Sequence, residues 1–256
     1  MKEYKAVLSK NREVADGIFE AELLFDEKVD GLQAGKFLNV SVGDKSHVLK
    51  RPFGISNYDK DCMTASFCYQ VKGDGTFALS KLKTGVELQV TIPLGNGFTL
   101  PEGARKVAIV AGGMGVCPFG AFGETYKDVN ATAYLGFRNK ECDCLTERIG
   151  GFADVKVIYD NEPQGEIRNA VQLFLADYDR FSPDVILACG PKPMLRALKN
   201  ALQANKIKTP CYVSLEERMG CGVGACLVCV CKQAKADGNV RICKDGPVFD
   251  VWEVEL

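Results

Sequence analysis

Lys106-Val107-Ala108-Ile109-Val110-Ala111-Gly112-Gly113-Met114-Gly115-Val116 is the stretch that decides the fold. Its apolar run, bounded by a lysine and a set of glycines, reads as a strand buried on both faces, as expected in a parallel sheet covered by helices. The glycines let the chain turn tightly and open a helical stretch that the pattern carries to Tyr126. A glycine turn between such a strand and its helix leaves free N–H groups at a positive helix end, where a dinucleotide pyrophosphate binds. Gly112, Gly113 and Gly115 are therefore candidate contacts. The motif is G-G-x-G and not the full G-x-G-x-x-G, and no acidic residue closes the second strand where a ribose partner would stand.

Toward the C-terminus, strands at 131–137, 155–159 and 185–189 alternate with helices at 140–150, 167–176 and 192–204. Such alternation predicts a doubly wound parallel sheet over residues 101–210. Cys189-Gly190-Pro191 ends the last of these strands, at the sheet edge where ligands bind. Cys189 is thus a candidate catalytic residue lining a nicotinamide pocket, with a buried thiol ending a core strand as the plainer reading. Arg138, just past the second strand, is placed to meet an adenosine ribose or phosphate, although an exposed loop arginine often meets only water.

Toward the N-terminus, short strand signals at 4–9, 17–24, 36–42, 63–71 and 86–92 predict a small antiparallel barrel over residues 1–100. Lys50-Arg51-Pro52-Phe53-Gly54-Ile55-Ser56 reads as a loop in which Arg51 offers a bidentate phosphate clamp. Lys72-Gly73-Asp74-Gly75-Thr76 reads as a turn opening a helix over 77–83, with Thr76 as its cap. Together the two could hold a pyrophosphate; separately each is an ordinary turn. Pro93-Leu94-Gly95-Asn96-Gly97-Phe98 closes the barrel as a turn, and is as readily structural as ligand-binding.

Residues 211–256 form a third unit. Cys221, Cys226, Cys229 and Cys243 stand in a C-x4-C-x2-C array followed by a distant fourth cysteine, the plant-type spacing of a 2Fe-2S cluster. Glycines at 220, 222 and 224 let backbone N–H groups approach the sulfurs. Structural zinc favours two short paired spacings and fits poorly; disulfides are the other alternative, since the chain has 12 cysteines. Cys231 would point to the same side as Cys229 in an extended segment, so spacing alone does not exclude it.

Formal net charge is −1 with both signs interspersed, which argues against nucleic acid or a membrane surface as partner. The start of the chain has no apolar leader and no run long enough to span a bilayer, so a cytoplasmic, reducing setting is expected for the scattered thiols. A single histidine, His47, disfavours His-based hydrolysis or acyl transfer.

Arg51-Pro52, Gly73-Asp74-Gly75-Thr76, residues 93–98, Gly112-Gly113-Met114-Gly115-Val116 and Cys189-Gly190-Pro191 occur in this order and together resemble the ferredoxin reductase superfamily. The tail from Ser214-Leu215-Glu216-Glu217-Arg218-Met219 through Cys226, with Cys243-Lys244-Asp245-Gly246-Pro247, resembles the electron-transfer subunits of NAD-dependent dihydroorotate dehydrogenases. The resemblance implies a multidomain α+β and α/β chain: a FAD-binding barrel, a nucleotide domain docking NAD(H), and a small C-terminal 2Fe-2S lobe. It places flavin contacts at Arg51, Pro52, Phe53 and Gly54, near Cys68, Tyr69 and Gln70, and at Gly75 and Thr76. Where the superfamily carries Ser or Thr near flavin N5 this chain has Gly54, so the N5 partner is either a backbone N–H or Ser56. The resemblance further implies an FMN-containing catalytic partner subunit, in a heterotetramer, since a (β/α)8 barrel needs about 250 residues of its own. A flavin and iron–sulfur reductase subunit of an electron-bifurcating or hydrogenase-type complex is the alternative.

Overall fold

The computed structural model describes residues 2–42 and 46–256; Met1, the first residue of the stretch read for a leader, lies outside them. β1 (Lys2–Ala15), β2 (Ile18–Phe25), β3 (Phe37–Val40), β4 (Arg51–Tyr58), β5 (Thr64–Gln70) and β6 (Glu87–Leu94) close a barrel in the order β1-β2-β5-β4-β3-β6. Every pairing in it is antiparallel. Period-two patterning drives the closure: Tyr4, Ala6 and Leu8 of β1 and Leu88, Val90 and Ile92 of β6 point inward while their neighbours face solvent.

The stretch expected to be a loop around Arg51 is strand β4. It hides from a pattern search because its residues are half-buried on both faces, with no period-two alternation. Phe53 stacks on Phe67 inside the barrel at 4.8 Å between ring centroids, and on the opposite face a Cβ at Gly54 would stand 3.1 Å from Pro118. Helix α1 (Asp74–Ser80) begins three residues earlier than expected, with Gly73 at its N-cap.

The second layer contains β7 (Lys106–Gly112), β8 (Asn130–Phe137), β9 (Ala153–Tyr159), β10 (Val185–Cys189) and β11 (Cys211–Ser214), parallel throughout in the order β11-β10-β7-β8-β9. The strand order reverses between β7 and β10, which makes their carboxyl ends a switch-point crevice. Val107, Ile109 and Ala111 of β7 share a core with the barrel, Phe119, Phe122 and Ile149. Ala108 and Val110 face a second core built on Phe174, Leu195 and Leu198. The sheet is thus covered on both faces.

The helices differ from expectation in ways their residues explain. The stretch expected to run to Tyr126 is a 3-10 turn, Gly113–Phe119, and then a short α2 (Phe122–Thr125), because Pro118 and four glycines do not sustain a longer helix. The helix expected over 140–150 divides into a 3-10 turn, Lys140–Cys142, and α3 (Thr146–Gly150), with Asp143 extended between them. α4 (Ala170–Phe181) starts where Asn169 accepts from the Gln172 N–H at 3.0 Å, three residues later than read. α5 (Lys192–Ala204) falls as read.

The sheet continues past residue 210. β11 is its fifth parallel strand, and after the cysteine segment and a small hairpin of β12 (Val230–Lys232) and β13 (Asn239–Arg241), β14 (Val248–Asp250) returns to pair antiparallel with β11. Cys229, Ile242 and Cys243 join the second core, so the cysteine lobe is packed against the sheet.

Candidate functional site

A cavity of about 260 Å3 opens where the barrel, the sheet edge and the cysteine lobe meet. Pro52, Phe53 and Gly54 of β4 and Cys68, Tyr69 and Gln70 of β5 form one wall, and Met114, Cys117 and Pro118 of the 3-10 turn form another. Ser214, Leu215, Glu216 and Glu217, with Met219 and Pro247, close the third side. Six of the residues expected to touch a flavin therefore meet on one surface. Tyr69 is held there by its hydroxyl donating to Asn11 Oδ1 at 2.8 Å, and burial pushes its phenol well above the ordinary range. The third side was not read from the sequence, and the one available signal was proximity: Met219 stands two residues before Cys221, and Pro247 four after Cys243.

Arg51 lies beside this wall with its guanidinium laid over Gly75 at the start of α1, so closely that any Cβ at 75 would collide with it. The expected partnership of arginine and glycine turn is thus present. Thr76 is not the cap: it sits one turn inside, where its hydroxyl accepts from the N–H groups of Lys72 at 3.0 Å and Gly73 at 3.2 Å and donates to Gly73 O. Gly73 takes the N-cap because its extended φ of −158° suits the entry.

At the switch point, Gly112 leaves room for Met194 and Gly115 for the carbonyl of Cys189, so these two glycines close-pack β7 on the β10–α5 turn. Gly113 has φ +53° and nothing within 4 Å of where its Cβ would be. Of the three it is the one open to a ligand. Cys189 is fully buried, and its thiol is pushed well above the ordinary range by that burial, with Glu216 adding to the rise. Its register partner on β11, Ser214, is on the cavity wall where Cys189 is not. Ser56 is likewise fully buried, its hydroxyl 3.9 Å from Cys68 Sγ, whereas Gly54 is on the wall.

From Leu215 to Cys229 the chain has no helix or strand and is shaped by backbone donors to sulfur. Cys221 Sγ accepts from the N–H groups of Val223 at 3.4 Å, Ala225 at 3.3 Å and Cys226 at 3.4 Å. Gly224 N–H reaches Cys243 Sγ at 3.0 Å and Cys221 N–H reaches Cys226 Sγ at 3.3 Å. Gly222 at φ +71° and Gly224 at φ +83° supply the left-handed turns this requires. Desolvation works to raise the Cys221 thiol, yet the converging N–H groups bring it down to about 6. Cys243, desolvated and against Cys229, is pushed up to about 12. Donors aimed at the sulfurs of Cys221, Cys226 and Cys243, with Cys229 buried beside Cys243, are what an anionic iron–sulfur group needs. Cys231 separates itself from them. Its thiol donates to the carbonyls of Glu255 at 3.3 Å and Lys232 at 3.6 Å on the far side of β12.

The lobe is fastened to the barrel through residues 95–97 and β3. Asn96 Nδ2 donates to the carbonyls of Asp245 at 3.1 Å and Lys244 at 3.4 Å, its N–H donates to Gly246 O at 2.7 Å, and Gly222 sits against the Asn39 amide. Of the stretch read as a turn over 93–98, Pro93 and Leu94 end β6, and Gly95 and Asn96 are the strut for the lobe.

Barrel, doubly wound sheet and thiolate loop around one cavity define a flavin- and iron–sulfur-dependent oxidoreductase of the ferredoxin reductase fold. Solved structures agree on that fold. An NADH-dependent reduced ferredoxin–NADP oxidoreductase matches with a TM-score of 0.83 at 23% identity, covering 98% of this chain and 89% of that one. Phthalate dioxygenase reductase matches with a TM-score of 0.67 at 15% identity, covering 98% and 94%. Residues 216–255 match the family model of the iron–sulfur cluster binding domain of dihydroorotate dehydrogenase B. The chain is 37% identical to the dihydroorotate dehydrogenase B (NAD(+)) electron transfer subunit of Caldanaerobacter subterraneus subsp. tengcongensis, over 98% of this chain and 97% of that one. It is 38% identical to the subunit of the same name from Streptococcus mutans, over 100% and 99%. The chain belongs to the family of electron transfer subunits of dihydroorotate dehydrogenase B.

Proposed function

We propose that this chain passes electrons between an FMN-bearing dihydroorotate dehydrogenase catalytic subunit and NAD+, through a 2Fe-2S cluster and FAD, in pyrimidine biosynthesis. One observation carries the reading: the cavity that holds Pro52, Phe53 and Gly54 is also lined by Met219 and Pro247, which flank Cys221 and Cys243. The flavin wall and the cluster loop are then two sides of one partition, with no third element for electrons to cross. A flavin supplies the exchange between hydride transfer at a nicotinamide and one-electron transfer at a cluster.

The chain's own residues bind and orient. Arg51, backed by Gly75 and Thr76, clamps the flavin pyrophosphate, and Pro52, Phe53, Cys68, Tyr69 and Gln70 hold the ring system. The Gly54 backbone, which is on the wall where the Ser56 hydroxyl is not, serves flavin N5. Gly113, with Gly112 and Gly115 setting its turn, receives the dinucleotide at the switch point. Cys189 supports the nicotinamide side from beneath through Ser214. Cys221, Cys226, Cys229 and Cys243 ligate the cluster. Residues 1–100, 101–210 and 211–256 are the flavin, nucleotide and cluster units, the middle one borrowing β11 and β14 from the third. A heterotetramer with the catalytic subunit in the cytoplasm completes the proposal. Among the described residues no helix is long and apolar enough to cross a membrane.

Visible and EPR spectra of the purified chain, before and after NADH, test the reading. Bound yellow flavin that bleaches with NADH, together with a reduced-cluster EPR signal, is the expected result; anaerobically prepared protein lacking iron and flavin would refute it.

A further inference from the structure

One side chain at the seam between barrel and cysteine lobe is left incompletely bonded by the fold. Along β3 the residues alternate: Leu38 and Val40 belong to the barrel core, while Phe37 belongs to the second core, with Cys229, Ile242 and Cys243. Asn39 shares the outward face of Phe37 and is only 3% exposed. An apolar side chain would complete that face. The chain has an amide there, and among the described buried polar residues it alone keeps a buried side-chain atom, Oδ1, with no hydrogen-bond partner. A buried amide that is not fully bonded costs free energy, so packing alone does not account for asparagine at 39.

Its surroundings indicate what it serves. A Cβ on Gly222 would stand 1.9 Å from Asn39 Nδ2, nearer than to any other atom, so the amide nitrogen rests directly on the turn that follows Cys221. In the barrel ladder Asn39 is the register partner of Pro52, which is on the flavin wall, whereas Asn39 itself does not line that cavity. The amide is therefore on the cluster side of the partition. An iron–sulfur group held by thiolates is anionic and becomes more so on reduction, and what stabilises it is hydrogen-bond donors. From within the loop, the N–H groups of Val223, Ala225 and Cys226 already converge on Cys221 Sγ. Asn39 Nδ2 brings two further donor hydrogens to the same turn, and brings them from the barrel.

We propose that Asn39 is a positioning residue for the cluster, its amide donating to sulfur on the Gly222 side and raising the reduction potential. The proposal rests on the iron–sulfur reading of the four cysteines. A donor aimed at sulfur favours the reduced, more negative state over the oxidised one, which is the direction of the rise. The strand that carries Phe37 to the flavin cavity thus also carries the group that decides how readily the cluster takes an electron.

The test is an anaerobic redox titration of the cofactor-loaded chain, followed by EPR of the reduced cluster and by flavin absorbance. Asn39→Leu keeps the approximate volume and removes the donor. Its cluster midpoint should fall by about 59 mV, the one-electron equivalent of an about tenfold smaller ratio of reduced to oxidised cluster at a fixed potential. The flavin midpoint should stay where it is. A second measurement needs no variant to load iron: in wild-type protein labelled with heavy nitrogen in asparagine alone, pulsed EPR should show a nitrogen coupling to the reduced cluster. No asparagine stands between Leu215 and Cys229, so none of the N–H groups of that loop carries the label. Where Asn39→Leu does load iron, that coupling should vanish with the substitution. An unchanged cluster midpoint in Asn39→Leu, or labelled wild type without the coupling, would overturn the role of Asn39. Wild type that gives no reduced-cluster signal at all would instead count against the iron–sulfur reading.

Discussion

On the cavity wall, the residues that face a ligand are carried by β4 and β5, two strands of a closed barrel whose ladder and core fix them before any ligand arrives. In the cysteine loop, Leu215 to Cys229 has neither helix nor strand, and its shape is written by N–H groups pointing at sulfur. The first region is prepared by hydrophobic closure and tolerates the removal of any one contact. The second depends on thiolates for its own backbone bonds, so its order and its chemistry stand or fall together.

Replacing Cys226 with Ser is the most severe way to probe that contrast. It should eliminate the cluster, read as loss of iron and of the EPR signal, while flavin stays bound; a full cluster signal would remove Cys226 from the ligand set. Arg51→Ala comes next. It should weaken FAD by about ten- to a hundredfold, the loss of a charge-assisted clamp of roughly 1.5–3 kcal/mol, with iron content unchanged. Flavin occupancy that survives dialysis would show that the wall alone suffices.

Glu20→Gln tests how the barrel is fastened to the sheet. Glu20 on β2 is 2% exposed and pairs with Lys10, Arg12 and, across the seam, Arg148. Burial acts to raise its carboxyl, but hydrogen bonds from Lys10 and Arg148 bring it down to about 2. A depressed folded pKa means the stabilisation is full above the unfolded value of 4.5 and is lost as pH falls toward about 2. The variant should lose roughly 2 kcal/mol near neutrality, as expected for charge-assisted hydrogen bonds, and the gap in Tm from wild type should close in acid; a gap independent of pH would assign the effect to packing. Asn96→Ala is the mildest. Losing the two side-chain bonds to Lys244 and Asp245 should cost about 1 kcal/mol, seen as faster iron release with FAD affinity unaltered. Equal loss of flavin would mean that the two regions are not separable.

Period-two and continuous apolar runs made the barrel and the parallel strands legible in the sequence, and cysteine spacing alone indicated the loop that the N–H to sulfur bonds later support. β4 was not legible, because a strand half-buried on both faces and carrying Arg, Pro and Gly has no alternation to detect. The helices after β7 and β8 were overextended because Pro118 and Asp143 interrupt stretches whose apolar spacing still looks helical. Cys231 could be set apart only by its carbonyl partners, which lie at Lys232 and the distant Glu255. Cys189 and Ser56 were read as facing a ligand, and both turned out to be buried beside residues that do face the cavity, Ser214 and Gly54. Which side of a strand meets the cavity depends on packing that no local pattern records.

β14 has one consequence beyond holding the sheet edge. Tyr212, Val213 and Ser214 pair with Asp250, Phe249 and Val248, so the excursion that carries the thiolates leaves from β11 and returns in its antiparallel neighbour β14. Such a clasp can shut only after the intervening segment is gathered, and gathering that segment is what a metal does. Iron uptake and edge-strand docking are then thermodynamically linked: whatever loosens one loosens the other by the same free energy.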